Sequence, residues 1–107
     1  MGKALSGVRV LVVEDDPDLG CMTRIVLEEE GAQVRVAQTA SDALTAIGSF
    51  LPEIALLDSR LPDMTGRVLS HHLQERISTC VQILVSGDAA EVEHWSQVGG
   101  HALSKPF

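Results

Sequence analysis

The feature that most restricts the fold of this chain is a set of short, nearly unbroken apolar runs, each cut off by a polar residue. Residues 8–13 (VRVLVV) stop at Glu14, residues 54–57 (IALL) follow Pro52 and stop at Asp58, and residues 81–85 (VQILV) stop at Ser86. Strands buried on both faces of a parallel sheet read this way, because helices cover both sides and no solvent face imposes strict alternation. Two weaker runs, 34–37 and 101–104, bring the number of expected strands to five.

Helical patterns separate the runs. Asp16 suits an N-cap and Pro17 a first helical position, Leu19, Met22, Ile25 and Val26 line one face, and Gly31 is the expected stop. Thr39 and Ser41 offer caps for a second helix with Ala43, Leu44 and Ile47 inward, ending before Gly48. Residues 61–66 (LPDMTG) have loop chemistry, and Val68, Leu69, His72 and Leu73 give a third helix its inner face. Val92, Trp95 and Val98 mark a short fourth helix, broken at Gly99-Gly100. Strands alternating with helices predict a doubly wound α/β sheet, since right-handed crossovers set helices on both faces. Residues 1–107 read as one domain without repeats, linkers or low-complexity tracts.

Composition removes several function classes. The net charge of -7 comes from 15 acidic against 8 basic residues, and the basic ones are scattered singly, so no stripe exists to neutralise nucleic-acid phosphates. Aromatics are 3% of the chain with no Tyr, so the core is aliphatic and stacking platforms are scarce. No apolar stretch approaches the roughly 18 residues of a membrane span, and no signal peptide precedes the first strand. The expected location is the cytoplasm, with no membrane partner. Met1-Gly2 and Ser6 fit a myristoylation pattern only formally, since no polybasic second signal follows. Cys21 and Cys80 lie far apart without a C-x-x-C pair and read as reduced packing residues. The four histidines offer no i,i+4 pair, so no zinc site is expected.

In doubly wound sheets, ligands bind beyond the carboxyl ends of the strands. Those ends carry Glu14, Asp15 and Asp16 after strand one, Asp58 after strand three, Ser86 after strand four and Lys105 after strand five. Taken singly, each has an ordinary explanation as a cap, a turn or a surface charge. Together they form a polar set on one edge for which phosphoryl transfer has a use. In the strand order 2-1-3-4-5 the carboxylates of strands one and three are neighbours, where they repel unless a cation such as Mg²⁺ intervenes.

The segments VVEDDP (12–17), LLDSRLPDMTG (56–66), VSG (85–87) and KPF (105–107) together resemble the receiver domain of two-component response regulators and hybrid histidine kinases. The resemblance covers nearly the whole chain. It implies a flavodoxin-like sheet in the order 2-1-3-4-5, with Asp58 as the phosphoacceptor for a phosphohistidine on a histidine kinase or histidine phosphotransfer protein. It further implies Mg²⁺ held by Asp15 directly, by Glu14 through water, by Asp58 and by the backbone carbonyl of Arg60. Lys105 would contact a phosphoryl oxygen, the Ser86 hydroxyl would turn toward that group, and Asp16 is left to cap the helix. The family commonly has a cis bond after this lysine, here at Pro106. Residues 5–10 also resemble the lead-in of receivers fused behind a kinase core.

Two departures stand out. Receivers normally continue past KPF with a fifth helix, and this sequence ends there, leaving an apolar face for another helix or a second copy. Three residues before the lysine, where many receivers place an aromatic, stands Ala102, with His101 as the candidate substitute. These departures favour the alternative of a receiver-like interaction or dimerisation module that works without phosphorylation-dependent switching. A phosphatase with a D-x-D nucleophile motif is disfavoured, because Arg60 stands where the second Asp belongs.

Overall fold

A computed structural model describes residues 4–97 and 100–105. Its elements run β1 (Arg9–Val13), α1 (Pro17–Glu29), β2 (Gln33–Ala37), α2 (Ala40–Phe50), β3 (Ile54–Asp58), α3 (Gly66–Arg76), β4 (Val81–Ser86), α4 (Ala89–Gln97) and β5 (His101–Ser104). The strands are all parallel and ordered β2-β1-β3-β4-β5, as the receiver resemblance implied.

Register divides the strand residues into two rows. Val12 aligns with Val36 and Leu56, Leu56 with Ile83, and Ile83 with His101, so these share one side of the sheet. Val13, Ala37, Leu57, Leu84 and Ala102 share the other. On that second side, Leu11, Val13, Ala55 and Leu57 join Ala43 and Ile47 of α2 and Leu69 and Leu73 of α3 in one buried cluster. α4 packs on β4 and β5 and faces α3 across a groove lined by Val68, His71, Glu91 and Trp95. The first side carries α1, whose Leu27 packs against the buried Val10, Val12 and Ala32.

Local signals explain the helix starts. The Asp16 side chain accepts from the N–H groups of Asp18 and Leu19, Thr39 from Asp42 and Thr65 from Val68, each satisfying a donor that the first turn leaves unpaired. α2 runs past Gly48 to Phe50 and ends on Leu51 in the left-handed region (φ 51°), because Phe50 still packs against the core.

Three expectations need correction. Val68, expected on the inner face of α3, is 47% exposed. Met22, Ile25 and Val26 do not face inward: they are 63%, 48% and 60% exposed, and α1 rests instead through Leu19, Gly20, Thr23 and Leu27. The apolar stripe on α1 is broader than the sheet area it covers, since α1 touches only β1 and β2. Among the described residues, no helix lies over β3, β4 and β5 on this side, and Val81 and Leu103 there are also exposed. Cys80 is buried as expected, but Cys21 is exposed on α1, so only one of the two free cysteines is a packing residue. Trp95 is half-buried in α4, while Val98 and Gly99 lie outside the described residues.

Candidate functional site

The polar strand ends meet because the ladders run slightly past the strands. Glu14 donates its N–H to the Ala37 carbonyl (2.9 Å), Ser59 to Val85 (3.0 Å) and Lys105 to Ser86 (2.8 Å). Asp58, the last residue of β3, therefore stands between Glu14 and the start of the β4–α4 turn. Carboxylate oxygens of Glu14, Asp15 and Asp58 all lie within 4.8 Å of one another. Lys105 Nζ reaches across from the far strand to Glu14 Oε1 (3.1 Å) and Asp58 Oδ2 (3.5 Å). Glu14 and Asp58 are buried, and Asp15 is exposed. Asp16, given over to capping α1, is outside the cluster.

The loop after β3 is tied down at several points. Asp58 Oδ1 accepts from the Arg60 N–H (3.1 Å). Leu61 N–H to Met64 O and Gly66 N–H to Ser59 O pin the loop on either side of Arg60, so Arg60 turns its own N–H the other way, toward Asp58. Gly66 starts α3 directly against the strand: a Cβ there would sit 2.4 Å from the Asp58 carbonyl oxygen, which no side chain tolerates. Asp63 reaches out of the loop and accepts from the N–H groups of Ala40 and Ser41 (2.9 Å each), which fastens the loop to the start of α2 and holds the Asp63 carboxyl below its usual range.

Crowding sets the electrostatics. Burial, then contact with the Asp58 carboxyl, pushes the Glu14 carboxyl up to about 7, against the opposing pull of the Asp16 N–H and Lys105. Partial burial on its own would lower the Lys105 ammonium, but its contacts with Glu14 and Asp58 outweigh that and carry it above the usual lysine range. Three close carboxylates, one of them driven toward the neutral form, are a hard-oxygen donor set that a small divalent cation fits. The cleft beside them, about 530 Å³, is lined by Asp15, Asp58, Arg60, Ser86 and Lys105 among others, and is large enough for a phosphoryl group.

Ser86 is 2% exposed, and its hydroxyl is fully engaged. It accepts from the Asp88 N–H (3.0 Å) and from Ser59 Oγ (3.1 Å), and donates to Glu91 Oε2 (3.4 Å). Sequence reasoning did not single out Ser59, Asp63, Glu91 or the close approach at Gly66. It also passed over Asp88, whose side chain accepts from the N–H groups of Ala90 and Glu91 in the first turn of α4; an Asp just ahead of a helical pattern is the signal that could have found it. Ala102 lies on the Leu84 and Ser86 side of the sheet, whereas His101 points to the opposite side and is exposed. Alternation along the strand therefore rules His101 out as a substitute for an aromatic at Ala102. His71 pairs with Glu75 and lies edge-on to His72. Pro106 and Phe107 lie outside the described residues.

A parallel 2-1-3-4-5 sheet with three carboxylates and a lysine at its carboxyl edge defines a class, and comparison with known proteins names it. Residues 10–107 match the response regulator receiver domain, and the chain belongs to that family. The probable transcriptional regulatory protein TcrX of Mycobacterium tuberculosis is 35% identical over 103 residues, 94% of this chain and 44% of its own length. The DNA-binding response regulator MtrA of Mycolicibacterium smegmatis is 48% identical over 58 residues, 54% of this chain and 25% of its own. Among solved structures, a CheY-like receiver domain protein from Methanospirillum hungatei superposes with a TM-score of 0.84 at 30% identity, covering 95% of this chain and 84% of its own. The response regulator TrrA of Thermotoga maritima, solved in complex with Mg²⁺ and BeF, shares the fold with a TM-score of 0.82 at 23% identity, over 94% of this chain and 88% of its own. The chain spans only 25% to 56% of the length of the first curated relatives it matches.

Proposed function

We propose that this receiver accepts a phosphoryl group on Asp58 from a phosphohistidine carried by a histidine kinase or a histidine phosphotransfer protein. The observation that carries the reading is the convergence of Glu14, Asp15 and Asp58 within 4.8 Å, with Lys105 spanning Glu14 and Asp58. An Asp58 carboxylate oxygen attacks phosphorus, the P–N bond to the imidazole breaks, and its electron pair stays on the ring nitrogen. The product is an acyl phosphate. Because both reactants are anionic, positioning and positive charge supply most of the catalysis.

Asp15, Asp58 and the Arg60 backbone carbonyl are the proposed Mg²⁺ ligands, with Glu14 acting through water. When bound, Mg²⁺ neutralises charge on the carboxylates and on phosphoryl oxygens. Lys105 shifts from its carboxylate partners to a phosphoryl oxygen, and the Ser86 hydroxyl turns toward the same group. The domain acts as a signalling module in the cytoplasm, where kinase phosphohistidines are presented. Among the described residues no helix is long and apolar enough to cross a membrane. MtrA is named DNA-binding, but with a net charge of -7 no nucleic-acid contact is assigned to this segment.

The test is intact mass after incubation with acetyl phosphate and Mg²⁺. Wild type should gain one phosphoryl group and Asp58→Asn none, whereas equal labelling would overturn the assignment. Asp15→Ala should keep its fold and lose most of its Mg²⁺ affinity in a titration. A second reading, self-association, is favoured by the exposed apolar residues Met22, Ile25, Val26, Val81 and Leu103. It requires a mass in sedimentation equilibrium that rises with concentration and falls back on Ile25→Ser with Leu103→Ser.

A further inference from the structure

The Ser86 hydroxyl has one proton to give. In this structure that proton goes to Glu91 Oε2 at 3.4 Å, while Asp88 N–H and Ser59 Oγ fill its acceptor capacity. A phosphoryl group on Asp58 is a second anion in reach of the same cleft, which Ser86 also lines. Ser86 cannot donate to both. We infer that Glu91 is a positioning residue that holds Ser86 in its unphosphorylated orientation by competing for this proton, so that phosphorylation frees Glu91 and with it the first turn of α4. The inference rests on the reading of Asp58 as the phosphoacceptor.

Three features direct the signal to α4. Ala102 carries no side chain that could follow Ser86 toward β5. Glu91 belongs to the α4 turn that Asp88 caps, and the Asp88 N–H is itself bound to Ser86 Oγ, so departure of the hydroxyl unties two bonds at that turn. Glu91 also lines the groove between α3 and α4, one turn from Trp95, so its release changes the charge and shape presented there.

The experiment measures beryllofluoride affinity in the presence of Mg²⁺ for wild type, Glu91→Gln, Glu91→Asp, Ser86→Ala, and Ser86→Ala combined with Glu91→Gln. Glutamine weakens the acceptor without changing size, and aspartate keeps the charge but falls short of Ser86. Both should tighten binding by roughly 3- to 10-fold, the range for loss of one competing hydrogen bond. In the Ser86→Ala background, Glu91→Gln should change nothing. The Asp88 amide should lose hydrogen-exchange protection when beryllofluoride binds wild type. If glutamine tightens binding and aspartate does not, or if the glutamine effect persists without Ser86, Glu91 acts through charge alone and the inference fails. Equal affinities for wild type and both Glu91 variants also overturn it. Failure of wild type to bind beryllofluoride at all, with no Asp58-dependent phosphorylation, overturns the parent reading instead.

Discussion

Neighbouring residues on the same strands meet very different surroundings. Leu11, Ala55, Leu57 and Leu84 have no exposed surface, and the first three lie in the cluster under α2 and α3. On the α1 side, Val10 and Val12 are buried, but Val81 and Leu103 are 46% and 44% exposed. The rows that carry Glu14, Asp58 and Lys105 belong to this less covered side, and the row that carries Ser86 belongs to the closed one. One side thus provides the rigidity and the other the carboxylates and amine, with Ser86 reaching between them. The lesson is that crowded charge is tolerated here because a closed aliphatic layer on the opposite side fixes the strands.

The largest effect should come from the closed side. Leu57→Ala should cost about 2–5 kcal/mol in urea unfolding, since the cavity cannot collapse under two helices, while Val81→Ala should stay within about 0.5 kcal/mol. Equal costs would erase the asymmetry. Gly66→Ala drives a methyl into the Asp58 carbonyl and the Leu84 side chain and should cost about 1–3 kcal/mol, with displaced Asp58 and Ser59 amide resonances.

A smaller effect belongs to the charged side. Glu14 binds its proton more tightly in the folded chain than in the unfolded one, so without divalent cation stability should fall as pH rises from about 4.5 to about 7. Glu14→Gln should flatten that slope in thermal melts, and a slope unchanged by the substitution would show that another group titrates. Lys105, raised in the folded state, keeps its contribution below the ordinary lysine range and loses it only above, outside this window. The smallest effect is local. Asp63→Ala should speed hydrogen exchange at Ala40 and Ser41 while leaving the global midpoint nearly unchanged. In wild type the same protection should fade only as pH drops through the depressed Asp63 value.

Much of this was legible because two-sided burial leaves an unmistakable pattern. Runs such as 54–57 announced strands, and the abrupt change to Asp58 marked where β3 ends at the cleft. Asp16 was readable as a cap because helix N-termini need a local acceptor. The inward face of α1 was misread for a physical reason: Met22, Ile25 and Val26 satisfy helical periodicity, but periodicity does not say how much of a stripe a sheet will cover. Ser59 and Glu91 left no signal, since their roles depend on contacts with Ser86 that arise only when β3, β4 and α4 meet.

Gly66 has a mechanical consequence. With no side chain between the first residue of α3 and the Asp58 carbonyl, strand end and helix start are in direct backbone contact, so a displacement of one presses on the other. A helix of 11 residues is roughly 16 Å long, so a tilt of a few degrees at its root displaces its far end by about 1 Å. α3 is therefore a lever whose fulcrum is the main chain of the residue proposed to take the phosphoryl group.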